Sequence, residues 1–88
     1  MPIEPPPLYR TEAEALQAPG KIVRHYKGGI YRIVSENARH SETLEQGVVY
    51  EHLWPHQHGF WFRPAALFWG TLPADKGGGP RFKIIKER

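Results

Sequence analysis

The chain has 88 residues, a formal net charge of +3 and no cysteine. This length allows one domain with a limited buried fraction. The lack of cysteine excludes disulfides and thiolate metal sites and fits a reducing compartment, so we expect a cytoplasmic protein. No apolar run reaches the roughly 18 residues of a membrane span, and the N-terminus lacks the basic and apolar regions of a secretory signal. The mild positive charge permits an anionic partner without requiring one.

Residues 1–19 are expected to form an N-terminal arm. A run of three prolines near its start favours extended polyproline II structure. Thr11 and Glu14 have the spacing of a capping box, which predicts one or two helical turns over residues 12–17. Because large apolar anchors are scarce here, we expect this Pro-rich arm to be loosely docked on a separate β domain formed by residues 20–88.

From residue 20 onwards the pattern changes to short strands separated by turns. Runs of β-branched and aromatic residues predict five strands, at residues 21–26, 30–38, 48–54, 60–63 and 81–85. Pro64 precedes an Ala-Ala-Leu-Phe segment that suits one short helical turn before the last strand. A closed sheet removes exposed edges in so short a chain, so we predict a mainly β fold, a small five-stranded SH3-like barrel.

Several short motifs in this β region resemble those of one protein family. They are Gly20-Lys21, Arg24-His25-Tyr26-Lys27-Gly28, Ala38-Arg39-His40-Ser41-Glu42-Thr43-Leu44-Glu45, Val48-Val49-Tyr50, Trp61-Phe62-Arg63-Pro64, Phe68 and Pro80-Arg81-Phe82. In this order the motifs resemble the bacterial DUF1653 family. The resemblance implies an SH3-type β-barrel, and it implies no particular reaction because the family name records an unknown activity.

The connection after the second predicted strand carries the densest set of recognition groups. It contains Arg39, His40, Ser41, Glu42 and Thr43, whereas a simple turn is usually built from Gly, Asn, Asp or Pro. A guanidinium can hold a carboxylate or phosphate, and the hydroxyls can orient a ligand. The same loop can instead satisfy itself, with the guanidinium paired to a nearby glutamate (Glu42 or Glu45) and the hydroxyls bonded to backbone.

Aromatic residues are expected to complete this site. Three consecutive aromatic residues in the fourth strand cannot all point inward, since successive side chains alternate between the faces of a sheet. We expect Trp61 to face outward with Arg63, across from Tyr50, as a stacking platform. His25 and Tyr26 are expected to line the same site.

We therefore predict a small binding module that recognises an anionic or polar ligand, or a peptide, at this connection. One alternative is RNA or DNA binding by a basic stripe, formed by Lys21, Arg24, Lys27, Arg32, Arg63, Arg81 and Lys83. The other is a small hydrolase-type enzyme that uses His, Ser and Glu of the connection. Against it, His40 and Ser41 would point to opposite faces of an extended backbone, and the chain has no nucleophile elbow or phosphate-binding loop.

A second polar cluster is formed by His52, His56 and His58. Neutral imidazoles can bind zinc or nickel. The spacing matches no established metal-binding pattern, however, and the cluster has no clear fourth ligand. We therefore predict a solvated turn with no metal and no cofactor.

Overall fold

The fold is one antiparallel sheet flanked by short helices. A computed structural model describes residues 6–87; residues 1–5, which include the start of the expected polyproline segment, and residue 88 lie outside the described part. The strands are β1 (Lys21–His25), β2 (Ile30–Arg39), β3 (Gln46–Trp54), β4 (Phe60–Pro64) and β5 (Phe82–Lys86). Helix α1 spans Glu12–Leu16, helix α2 spans Ala65–Phe68, and a 3₁₀ turn covers Ala74–Lys76.

The strands pair in the order β4-β3-β2-β1-β5, with every pair antiparallel. The mainly β prediction is confirmed, and the five strands lie where β-branched and aromatic residues predict them. Closure is not confirmed: within residues 6–87, β4 and β5 each pair along one side only, so the sheet has two edges instead of forming a barrel. Irregularities in the β2–β3 register interrupt the regular ladder, and such bulges increase the local twist of a sheet.

Both short helices form where the sequence predicts them. At the start of α1, Thr11 is the N-cap and its side chain accepts a hydrogen bond from the Glu14 amide at 3.2 Å. Helix α2 begins directly after Pro64, whose fixed φ suits a helix start. No helix within the described residues is long and apolar enough to cross a lipid bilayer.

One face of the sheet, which we call the cavity face, carries an aromatic core. It is formed by Val23, Val48, Tyr50, Phe68 and Phe82. The rings of Phe68 and Phe82 stack with their centroids 4.1 Å apart. Helix α2 therefore fixes β5 to the centre of the sheet through one buried side chain.

The opposite face, which we call the arm face, is covered by the N-terminal arm. Its buried cluster is Ala15, Ala18, Ile22, Ile30 and Leu53. The backbone amide of Tyr9 also donates to the Leu53 carbonyl at 3.2 Å. The described part of the arm is thus packed onto the sheet more closely than the sequence predicts, because two small buried alanines let it approach closely and Tyr9 and Leu16 pack against the same cluster.

Candidate functional site

A surface cavity of about 260 Å³ lies on the cavity face, over β2, β3 and β4. It is lined by Tyr31, Tyr50, His52, Trp61 and Arg63. Strand register explains this grouping. Tyr31 is opposite His52 and Tyr50 is opposite Trp61, and paired residues of adjacent strands point to the same face. Arg63 follows Trp61 by two positions and shares that face.

The walls of this cavity are aromatic. The Tyr31 ring stacks on the His52 ring at 4.2 Å between centroids and meets the Tyr50 ring edge-on at 5.4 Å. Burial, and then the nearby Tyr50 hydroxyl, raise the pKa of Tyr31 above its ordinary value, so its phenol stays protonated further into the alkaline range. Trp61 is half exposed at the rim. An incoming planar group therefore meets rigid rings and one cation.

His52 is the unusual member of the lining. Its residue is 8% exposed, and its Nε2 atom has no hydrogen-bond partner among the described residues. Burial, and then the nearby His56 and His25, lower the pKa of His52 to about 4. The imidazole is therefore neutral at neutral pH and leaves a buried polar atom unsatisfied, which usually costs about 1–3 kcal/mol.

A second cavity of about 370 Å³ lies beside the first, at the end of the sheet. It is lined by Glu12, Arg24, His25, Lys27, Gly28, Gly29, Tyr31, Trp54, Pro55 and His56. The two cavities share Tyr31 as a wall. Burial, followed by the charges of Arg63, Arg81 and Lys27, lowers the pKa of His25.

The connection with the predicted recognition groups lies away from both cavities. Its side chains bond to its own backbone: His40 Nδ1 accepts from the amides of Glu42 (3.1 Å) and Thr43 (3.3 Å), and Arg39 Nη1 donates to the Leu44 carbonyl (3.2 Å). The Thr43 hydroxyl accepts from the Glu45 amide at 3.2 Å.

Within the described part of the chain, no ion pair joins Arg39 to Glu42 or Glu45. No hydrogen bond joins the Ser41 hydroxyl to an imidazole there either. The exposed connection is therefore held by side-chain contacts to backbone. The Arg39 guanidinium bonds to the Leu44 carbonyl and not to the carboxylate of Glu42 or Glu45.

The structure thus divides the predicted site residues into separate groups. Tyr50, Trp61 and Arg63 come together in one cavity. His25 lines the neighbouring cavity, with the exposed Tyr26 ring 4.5 Å from its own ring. Residues 39–43 contribute to neither lining.

Sequence reasoning did not assign Tyr31 and His52 to this site. The sequence could have predicted His52, because this residue follows Tyr50 by two positions in a strand and must share its face. For Tyr31 the pairing register was needed, and the bulges between β2 and β3 hide that register from the sequence.

The three clustered histidines diverge. The His52 and His56 rings are 5.0 Å apart, whereas His58 Nε2 donates to Glu51 Oε2 at 2.6 Å, and Glu51 belongs to the arm face. Within residues 6–87 no group of three or more His, Cys, Asp or Glu side chains could hold a metal ion. His58 instead forms part of a structural network.

This network joins β2, β3 and the turn before β4. Arg32 donates to Glu51 Oε1 through Nε (2.9 Å) and Nη2 (2.8 Å), and through Nη1 to the Pro19 carbonyl (3.0 Å). Burial alone would raise the pKa of the Glu51 carboxyl, but the hydrogen bonds from His58 and Arg32 outweigh it and lower that pKa. The His58 amide also donates to the Pro6 carbonyl, so the network ties both ends of the described part of the arm, residues 6–19, to the sheet.

The basic residues do not act as one group. Lys21 pairs with Glu36 and Glu87, while Arg24 pairs with Glu12 and Arg32 with Glu51. No such pair is formed by Lys27, Arg63 or Arg81 within the described residues, and these three cations influence His25. Three cations without an ion pair among the described residues therefore influence one imidazole that lines the larger cavity.

Together these features define a small mainly β domain, built on one antiparallel sheet with an aromatic cavity on one face and an arm on the other. A family model described as "Protein of unknown function (DUF1653)" matches residues 21–84, and the chain belongs to this family. The resemblance seen in the sequence motifs is thereby confirmed. Comparison with curated proteins and with solved structures gave no match. The family match begins at β1 and leaves the arm outside.

Proposed function

We propose that this protein is a binding module for a small ligand that carries both an anionic group and a planar group. The observation that carries the proposal is the lining of the smaller cavity, where Arg63 is the one charged side chain and the other walls are aromatic. Arg63 has no carboxylate partner within residues 6–87. A guanidinium beside aromatic rings suits a carboxylate or phosphate attached to a ring.

Polar residues of the connection at 39–43 give this function less support. The side chains of Arg39, His40 and Thr43 are already bonded to the loop's own backbone, so a ligand would have to displace those bonds. Arg63 has no such bond to lose. The cavity around Arg63 is therefore our proposed binding site.

The test compares ligands that separate the two recognition elements. AMP carries a planar ring and an anion, adenosine has only the ring, and inorganic phosphate has only the anion. Isothermal titration calorimetry is expected to give the highest affinity for AMP. Arg63→Gln should weaken AMP binding about tenfold or more, because a charge-assisted hydrogen bond contributes roughly 1.5–3 kcal/mol.

Arg39→Gln is the matched control, since it removes the same group from the predicted connection. It should leave AMP binding unchanged. Equal losses in both variants, or a loss in Arg39→Gln alone, would move the site back to the connection. If none of the three probes binds, and short peptides with a carboxylate and an aromatic ring also fail to bind, the proposal is wrong.

RNA binding is the second candidate, favoured by three cations that influence His25 (Lys27, Arg63 and Arg81) and by the exposed Trp61 beside Arg63. A ten-nucleotide RNA separates the two candidates, because the affinity of a nucleic-acid module falls steeply with salt concentration as counterions are released. A shallow salt dependence together with competition by AMP would support the small-ligand module.

A further inference from the structure

Strand β4 is an edge of the sheet that begins with three aromatic residues and carries its charged residue and its proline, Arg63 and Pro64, only at its end. Its residues Phe60, Trp61 and Phe62 are 59%, 51% and 38% exposed. The other edge, β5, carries Lys83 and Lys86, and lysines on an edge strand discourage pairing with another chain. Ile84 and Ile85 of β5 are exposed as well, but a lysine lies on each side of them, so β4 is the edge better suited to pairing.

The backbone of β4 also presents unused hydrogen-bonding groups. The His52 amide donates to the Gly59 carbonyl at 2.9 Å. Because hydrogen-bonded and non-bonded pairs alternate in an antiparallel ladder, Trp61 and Arg63 bond to β3, whereas Phe60 and Phe62 direct their amides and carbonyls outward. No other backbone hydrogen bond within residues 6–87 uses these groups of Phe60 and Phe62.

We propose that β4 pairs antiparallel with β4 of a second copy of this chain, with Phe62 opposite Phe62. The two five-stranded sheets then form one continuous sheet across a twofold axis. In this register Trp61 of each copy lies opposite Arg63 of the other, and Phe60 lies opposite Pro64.

The hydrogen bonding of this register is self-consistent. The two Phe62 residues form a hydrogen-bonded pair and exchange both of their bonds. The Pro64 carbonyl already accepts the first hydrogen bond of helix α2, so the Phe60 amide of the other copy can reach it only as a second donor. The missing amide of proline falls at the end of the paired segment, where the opposing Phe60 carbonyl can reach water. The seam therefore has two unshared backbone hydrogen bonds, between the Phe62 residues, and two that share their acceptor with α2.

The side chains of the same register also match. Trp61 and Arg63 form a non-hydrogen-bonded pair, in which side chains of adjacent strands approach most closely, and a guanidinium over an indole is favourable. On the arm face, Phe62 meets its own copy and Phe60 meets a proline ring. The edge is thus complementary to itself, because the cation of each chain meets the exposed indole of the other, and this favours a second copy as the partner.

This assembly goes beyond the proposed ligand and does not depend on it. The cavity of each copy lies next to the seam, since Trp61 and Arg63 belong to both. A chain that dimerises without binding AMP would support the dimer and contradict the ligand proposal, so the two can fail separately.

Sedimentation equilibrium and light scattering over a range of concentrations test the assembly. We expect a species of twice the 10.1 kDa chain mass. Phe60→Lys should raise the dimer dissociation constant at least tenfold, because it places a lysine on the exposed edge. Ile84→Lys is the matched control on β5, where the isoleucine is also exposed, and it should leave the dissociation constant unchanged. Circular dichroism checks that both variants fold.

The absence of cysteine in the chain allows a test of the register. Phe62→Cys places two thiols opposite each other at a Cα separation near 5.5 Å, within the range of a disulfide. Phe60→Cys places the two thiols about four residues apart along the paired strands, because position 60 lies opposite position 64 of the other copy. Mild oxidation should link the first variant and leave the second unlinked.

Amide hydrogen exchange of the unsubstituted protein completes the test without any variant. The Phe60 and Phe62 amides should exchange slowly at high protein concentration and faster on dilution. A monomer at every concentration, an unchanged dissociation constant in Phe60→Lys, or equal cross-linking of both cysteine variants would overturn the proposal. The proposal would also be overturned if the protein stayed monomeric and the β4 amides exchanged more slowly only when an extended peptide was added. A peptide would then be what pairs with this edge.

Discussion

At the scale of single residues, His52 couples the cavity to the stability of the fold. Its pKa is lowered from 6.5 to about 4. In the unfolded chain the imidazole has its ordinary pKa, so the unfolded state takes up a proton first as the pH falls. Stability from this group is therefore complete above pH 6.5 and is lost progressively down to about pH 4, by roughly 3 kcal/mol at most.

We predict that His52→Phe weakens this pH dependence. Phenylalanine keeps an aromatic ring against Tyr31 but cannot be protonated. Urea unfolding at several pH values between 7.5 and 4 should show a smaller loss of unfolding free energy than in the unsubstituted protein. Tyr31→Phe, which changes the stacked partner and keeps the imidazole, should retain the full loss. Parallel curves for His52→Phe and the unsubstituted protein would contradict the assignment.

Glu51 contributes a second pH-dependent term. Its pKa is lowered in the folded state, so its stabilisation is present above the ordinary carboxyl value of 4.5 and is lost as the pH falls through the folded value. Glu51→Gln should destabilise the protein by about 1–3 kcal/mol at pH 7, since it removes the charge that Arg32 and His58 contact. Chemical denaturation should show this difference shrink below pH 4.5. A constant difference at every pH would exclude the charge as its cause.

At the scale of elements, the β3–β4 pair depends on a glycine at the start of β3. A Cβ atom added to Gly47 would overlap the ring of Phe62 and lie 2.6 Å from the Arg63 carbonyl. The aromatic ring therefore covers the bare backbone of the neighbouring strand, and the close approach fixes β4 in its register.

Gly47→Ala should destabilise the protein by about 1–3 kcal/mol, the usual cost of overpacking a filled site. Thermal and urea unfolding measure the change. Gly79→Ala is the control, because no atom lies within 4 Å of an added Cβ there and its φ is ordinary. An equal effect of the two substitutions would show that backbone freedom, and not the contact with Phe62, determines the cost.

The strands and helices could be predicted from local sequence, whereas the open edges of the sheet and the residues that line the cavity could not. Strands β1 to β5, the Thr11 cap and helix α2 follow from β-branched runs, a capping box and a proline, all of which act over a few residues. The edges and the Tyr31–His52 pair depend on register between strands, which the bulges in β2 and β3 shift. The polar connection was conspicuous in the sequence because its groups are chemically rich, but several of them serve the loop's own backbone.

At the scale of the whole molecule, the two faces of the sheet have different origins. The core of the cavity face lies entirely within residues 21–84, the part that matches the family. The core of the arm face needs Ala15 and Ala18, which lie outside it. The described part of the arm, residues 6–19, therefore packs on the sheet, although it precedes the family region.

We predict that Ala18→Glu costs more than about 2 kcal/mol of unfolding free energy, because it forces a charge into a buried contact without a partner. Leu8→Glu in the same arm should change stability by less than about 0.5 kcal/mol, since that side chain is exposed. Denaturant titration of the two variants is the measurement. Similar small effects would indicate that the arm can detach at little cost.

The dependence of one face on residues 6–20 has a consequence for the family. A relative that starts at β1 would leave the positions of Ile22, Ile30 and Leu53 open to water, and it would need polar side chains there or a substitute lid from elsewhere. Adding residues 6–20 of this chain to such a relative should therefore stabilise it only when those three positions are apolar. Apolar residues at the three positions would then mark the family members whose sheet is covered on this face.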